Sequence, residues 1–143
     1  MTDIYGATCV QAETHVVTGP ANRDVAIQRN VTRAVEMIEF VAAEARFQNR
    51  LVVFPEFFLT GVPESRTLDD YLLNAEPIPG PAIAPLQNAA AKHGLYVAAN
   101  TFELDKDWPG RLWNTSFLID HRGEIILKYR KHNDAYAPVN TRP

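Results

Sequence analysis

The residue pattern predicts a mixed α/β domain in which parallel strands are joined by helical crossovers and an antiparallel hairpin is added at the end. Three observations carry this expectation. A long apolar pattern at helical spacing lies between two short strand-like runs. A second helix and strand follow it. Near the end, two more strand-like runs flank Asp120-His-Arg-Gly123.

In chain order, Ile4–Ala12 mixes β-branched and small residues and reads as the first strand, and Thr18-Gly-Pro-Ala-Asn22 is turn chemistry. From Asp24 to about Phe47 the period changes. Val31, Val35, Ile38, Val41 and Ala45 recur at helical spacing, with Arg33, Glu36 and Glu44 on other faces. Asn22 or Asp24 is placed to cap this helix. Leu51-Val-Val-Phe54 is an unbroken apolar run suited to a strand buried on both faces, and Pro55 stops its ladder. Thr60–Pro79 is irregular, with prolines at 63, 77 and 79 around a short helical candidate, Leu68–Asn74.

Pro85–His93 reads as a second helix stopped by Gly94, and Leu95–Phe102 as a third strand. Leu112–Ile119 and Glu124–Arg130 are two further strands joined by the Asp120–Gly123 turn. Asn133–Pro143 is loop-like. No internal repeat, low-complexity tract or linker divides the chain, so the expectation is one domain or part of one.

Composition narrows the function classes. A formal net charge of -3 lacks the basic footprint expected of a nucleic-acid or anionic-membrane partner. With one cysteine, no disulfide framework can form within the chain. The N-terminal residues lack a basic region followed by an apolar one, and no apolar run approaches bilayer-spanning length, so the expected setting is cytoplasmic. Isolated glycines such as Gly6, Gly19 and Gly61 form no phosphate-cradling loop, which argues against a nucleotide binder. His15, His93, His121 and His132 show no metal-ligand spacing.

Two charged positions could carry chemistry. Glu56 follows directly behind a buried strand, at the strand end where open α/β sheets place ligands. A water-poor pocket there would raise a carboxylate toward the range of a general base; the plain alternative is an exposed loop glutamate. In Lys128-Tyr-Arg-Lys-His132, strand alternation sends Lys128 and Arg130 to one face and Tyr129 and Lys131 to the other. A lysine there could reach the pocket of Glu56 and offer a charge to a developing oxyanion. The alternative is a solvated basic strand end. Cys9, in the middle of the first strand, is expected to be a small buried hydrophobe rather than a nucleophile.

Two segments stand out, Leu51-Val-Val-Phe-Pro-Glu-Phe-Phe-Leu-Thr-Gly61 and Trp113-Asn-Thr-Ser-Phe-Leu-Ile-Asp-His-Arg-Gly-Glu-Ile-Ile-Leu-Lys-Tyr-Arg-Lys-His132. Together they resemble the nitrilase superfamily of carbon–nitrogen hydrolases. The first is similar to its strand-Pro-Glu-loop segment, and the second resembles its Asn-Thr strand, Asp-x-x-Gly turn and Tyr-Arg-Lys strand. The resemblance implies the front half of an α-β-β-α sandwich, so that residues 1–143 are the N-terminal part of the domain, truncated before the nucleophile. It gives Glu56 the role of general base and Lys131 that of the lysine stabilising the tetrahedral intermediate, in a Cys-Glu-Lys mechanism on a small amide, carbamoyl or nitrile substrate. No metal or organic cofactor is implied. A homodimer or higher oligomer, packed across the helical faces, is implied for the full-length form.

The chain departs from the family pattern in three respects. Cys9 does not match the family's nucleophile, which lies after the lysine on a strand-to-helix turn. Asn133–Pro143 contains Asp134 but not the glutamate that many members carry after the lysine. Val62 follows Gly61 where an aromatic residue is common. The chain alone is therefore expected to be inactive. The competing reading is a non-catalytic small α/β binding or interaction module derived from the same fold, which would have to expose sheet edges and an apolar face.

Overall fold

The computed structural model describes residues 4–63 and 67–133. The elements are β1 (Gly6–Cys9), α1 (Arg23–Ala43), a 3₁₀ turn (Ala45–Phe47), β2 (Asn49–Val53), α2 (Leu68–Leu73), β3 (Glu76–Pro77), α3 (Ala84–His93), β4 (Tyr96–Leu104), β5 (Leu112–Ile119) and β6 (Ile125–Arg130). The strands form one sheet in the order β1-β2-β4-β5-β6, with β3 pairing to β4 off this path. β1, β2 and β4 run parallel, while β5 and β6 add antiparallel. The mixed α/β expectation is met. One sheet with one helical layer corresponds to half of an α-β-β-α sandwich.

The core lies between the sheet and α1 and α3. Ile27, Val31, Ala34, Ile38 and Val41 of α1 and Leu86, Ala89 and Ala90 of α3 meet Val52, Val97, Phe117 and Ile119 of the sheet. Burying a side chain of this size contributes roughly 1.5–3 kcal/mol. Each strand shows the helices alternate residues only, so its intervening residues form a second face. Leu51, Val53, Ala98, Leu118 and Leu127 stand on that side.

Several elements differ from the sequence expectation. The long helix ends at Ala43. Glu44 turns extended, and its carboxylate accepts the Arg46 backbone N–H to start the 3₁₀ turn. Asn22 occupies the N-cap position but makes no side-chain cap; its Oδ1 accepts the N–H groups of Thr18 and Gly19 and ties down the loop before it. Within the irregular 60–79 stretch, Glu76–Pro77 pairs with β4 as a short strand. Cys9 is exposed at the end of β1 rather than buried, because β1 is an edge strand and that position faces away from the helices. The loop reading of 133–143 and the position of Asp134 lie outside the described residues after 133.

Candidate active site

Glu56 and Lys131 come together. Lys131 Nζ lies 3.2 Å from Glu56 Oε1. Each follows the C-terminal end of a strand, Glu56 after β2 and Lys131 after β6, on the sheet face that the helices do not cover. The two side chains line one concavity of about 1090 Å³ together with Asn100, Asn114, Ser116 and Tyr129. Their heads are half open, with side-chain exposures of 50% for Glu56 and 41% for Lys131. The cavity expected to be dry is thus an open trough here, because nothing within the described residues covers this face of the sheet.

The loop that carries Glu56 is anchored from behind. Phe54, Phe58 and Leu59 pack into the core. Asn30, buried on α1, donates from Nδ2 to Leu59 O and His15 O and accepts the His15 N–H, so one helical side chain ties two loops. Val17 N–H donates to Thr60 O, and Gly61 N–H closes a turn onto Phe57 O. Asn30 is a buried amide whose cost is offset only because each end finds a partner. The mid-helix polar residue in an otherwise apolar stripe was the signal available in the sequence.

Phe57 takes a left-handed backbone (φ 57°), unusual for a residue with a side chain. Its ring stacks on Phe102 at 4.4 Å, and its N–H donates to Asn100 Oδ1 at 3.1 Å. Asn100 in turn donates to Asn114 Oδ1 at 2.6 Å and to Ser116 Oγ at 3.1 Å. Asn114 Nδ2 donates to Glu56 Oε1 at 2.6 Å. The Glu56 oxygen that meets Lys131 therefore also accepts an amide proton. Among the described residues Glu56 Oε2 has no hydrogen-bond partner, which leaves one carboxylate oxygen open to take a proton.

Lys131 owes its direction to the strand before it. Lys131 N–H donates to Asn114 O at 2.9 Å, extending the β5–β6 ladder. On the opposite face of β6, Lys128 and Arg130 converge on Glu103, which is 1% exposed. Lys128 Nζ lies 2.6 Å from Oε1, Arg130 binds both oxygens at 2.9 Å, and Thr115 Oγ1 donates at 2.7 Å. Burial works against the Glu103 charge, but these donors outweigh it and hold the carboxyl below its ordinary range. Trp113 adds its ring 4.0 Å from the Arg130 guanidinium. The alternation that sends Lys128 and Arg130 one way leaves Tyr129 and Lys131 on the trough side.

Cys9 does not line the trough. Asn100 escaped sequence reading, although a polar residue among the small apolar residues of β4 is the kind of interruption that marks a partner nearby. Among the described residues, no group of three or more His, Cys, Asp or Glu side chains is arranged to hold a metal ion, and no helix is long and apolar enough to cross a membrane.

Comparison with known proteins bears on this arrangement. A model of the family described as carbon-nitrogen hydrolase matches residues 6–142. Formamidases of Bacillus thuringiensis (strain Al Hakam) and Bacillus anthracis are 34% identical over 90 residues, covering 62% of this chain and 26% of each relative. The chain thus spans about a quarter of the length of these curated relatives. Among solved structures, an N-terminal amidase superposes with a TM-score of 0.65 at 22% identity, covering 86% of this chain and 27% of that one. Saccharomyces cerevisiae Nit3, described as a member of branch 10 of the nitrilase superfamily, superposes with a TM-score of 0.62 at 25% identity, covering 82% of this chain and 42% of its own.

Proposed function

Because this chain belongs to the carbon–nitrogen hydrolase family, we propose that it supplies the acid–base and electrostatic part of a site that hydrolyses a non-peptide carbon–nitrogen bond. The observation that carries this reading is the 3.2 Å approach of Lys131 to Glu56 at the C-terminal strand ends. In this reading Glu56 is the general base and Lys131 stabilises the tetrahedral intermediate. The similarity to formamidases favours a small amide as substrate over a nitrile or carbamoyl group.

The chemistry divides as follows. Glu56 Oε2 takes the proton of an attacking thiol, and the thiolate sulfur bonds to the amide carbon. The carbonyl oxygen becomes an oxyanion beside the Lys131 ammonium. Protonated Glu56 gives its proton to the departing nitrogen as the carbon–nitrogen bond breaks, leaving a thioester. A water molecule, deprotonated by Glu56, then adds to the thioester carbon, and the proton returns to sulfur as the carbon–sulfur bond breaks.

The thiol is the part this chain does not place. Cys9 is its single cysteine, and it stands outside the trough. The reading therefore requires a thiol that none of the residues lining the trough provides. The competing reading, a stand-alone binding module, leaves Leu51, Val53, Leu118 and Leu127 uncovered and gains no support from any feature of the trough.

Ammonia release from formamide and short aliphatic amides tests the reading. The full-length protein is expected to turn over, and residues 1–143 alone to be silent. Glu56→Gln in the full-length protein is expected to lower kcat by roughly 10²–10⁴-fold while its thermal unfolding is unchanged. Activity that survives Glu56→Gln would overturn the assignment.

A further inference from the structure

We propose that Asn100 is a positioning residue for Glu56, holding the carboxylate toward Lys131 by two separate routes that meet at one buried amide. The inference rests on the reading of Glu56 as the base. It concerns a residue two steps removed from the reacting atoms.

The first route is through the backbone. Asn100 Oδ1 accepts the N–H of Phe57, the residue directly after Glu56, at 3.1 Å. Phe57 has the left-handed φ of 57°, a conformation unfavourable for a residue with a side chain. Something must hold it there, and the Asn100 oxygen together with the stack on Phe102 does so. This backbone turn is what sends the Glu56 side chain out over the sheet.

The second route is through the side chains. Because the Phe57 N–H can only donate, the oxygen end of Asn100 is fixed and its NH₂ must point the other way. That NH₂ has two hydrogens, and it meets two acceptors, Asn114 Oδ1 at 2.6 Å and Ser116 Oγ at 3.1 Å. Asn114, its own oxygen now engaged, can only present its NH₂ to Glu56, which it does at 2.6 Å from Oε1. Donor-to-acceptor direction therefore runs one way, from the Phe57 N–H through Asn100 and Asn114 to the carboxylate. With Asn100 only 8% exposed, water cannot readily substitute for any of its links.

The consequence is an orientation set by polarity. Turning either amide over would place an oxygen against an oxygen. The arrangement occupies Oε1 with Asn114 and Lys131 and leaves Oε2 to the trough. Removing the Asn100 NH₂ frees Asn114 to flip and to present its oxygen to Glu56.

Two measurements test this. Lys131 just after β6 is the charged group against Glu56, Arg50 on β2 also lines the trough, and Tyr5, Tyr96 and Tyr129 are the phenols there. In the unsubstituted protein, the side-chain amide signals of Asn114 and Asn100 are expected to shift with pH at the midpoint of the Glu56 carboxyl ¹³C signal. An Asn100 amide that ignores that midpoint overturns the proposal whatever the variants do. In the second measurement, Asn100→Asp keeps the oxygen for Phe57 but removes the donor, and Asn100→Ser is an uncharged residue too short to reach Asn114.

In the full-length enzyme both variants are expected to lower kcat at least tenfold with KM within about threefold. Asn100→Asp is further expected to move the acidic limb of the pH–rate profile upward, because it brings a negative charge toward the carboxylate and removes its amide relay. A folded variant of either kind with kcat within twofold and an unmoved limb would overturn the proposal. Failure of the base assignment is read separately, since it appears as activity surviving Glu56→Gln while the shared NMR midpoint is untouched.

Discussion

Lys131 and Glu56 stand 75 positions apart in the chain, yet their charged atoms lie 3.2 Å from each other. The parallel crossover through α1 and β2 delivers one, and the β5–β6 hairpin delivers the other. The helix layer fills one side of the sheet, and the pair occupies the other. Residues that hold the fold and residues that face the trough alternate along the same strands, so the two duties are kept on separate faces.

Glu56 and Lys131 should act as a unit. Lys131→Met and Glu56→Gln are each expected to lower kcat of the full-length protein by roughly 10²–10⁴-fold. The double variant should fall only slightly below the worse single one, since either loss already disables the step. Steady-state kinetics on the four proteins checks this. Fully multiplicative losses would mean that the pair does not cooperate.

Glu103 should matter for stability rather than for chemistry. Glu103→Gln leaves Lys128 and Arg130 without their buried anion, and breaking such a cluster costs about 3 kcal/mol or more. The folded carboxyl lies below its ordinary range, so the unfolded chain binds more protons as pH falls through that window. Its contribution is therefore present above the unfolded value near 4.5 and is lost as pH drops through the folded value. Denaturant melts between about pH 2 and 7 should show an acid-side loss of stability that Glu103→Gln reduces, the remainder belonging to other carboxylates held low, such as Asp105 and Asp120.

Glu76 should show the opposite sign. It is buried at the start of β3 and paired with Arg23, whose Nε also donates to Leu73 O at 2.8 Å. Burial raises its carboxyl above the ordinary 4.5, a shift that Arg23 opposes and does not cancel and to which nearby Asp24 adds. The folded state then holds the proton longer than the unfolded state does. Stability from this group is present below 4.5 and falls as pH rises through the folded value. Glu76→Gln should flatten that decline in the same melts, and a steeper decline in the variant would contradict the assignment.

Gly123 should resist substitution. It has φ 86°, and a Cβ there would meet Gln87 O of α3 at 2.7 Å. The same contact brings Gln87 Nε2 to Gly123 O at 2.7 Å, docking the hairpin on the helix. Gly123→Ala is expected to cost at least about 2 kcal/mol, from the left-handed backbone and the displaced helix together. Equilibrium unfolding measures it, and a loss under about 0.5 kcal/mol would mean the hairpin is not held against α3.

Periodicity and turn chemistry were enough for the order of the main elements apart from β3 and the 3₁₀ turn, for the long first helix, the strand before Pro55, the β5–β6 hairpin and the alternation along β6. These features are local, because hydrophobic spacing and turn chemistry act over a few residues. The family motifs also marked Glu56 and Lys131 as residues to watch. Their approach, the amide relay through Asn100 and Asn114, the left-handed Phe57, the buried Glu103 cluster and the exposure of Cys9 belong to tertiary structure. Each depends on which strands become neighbours and which face the helices cover. Side-chain polarity is written into the chain, but a partner 14 or 58 residues away is found only when the sheet assembles.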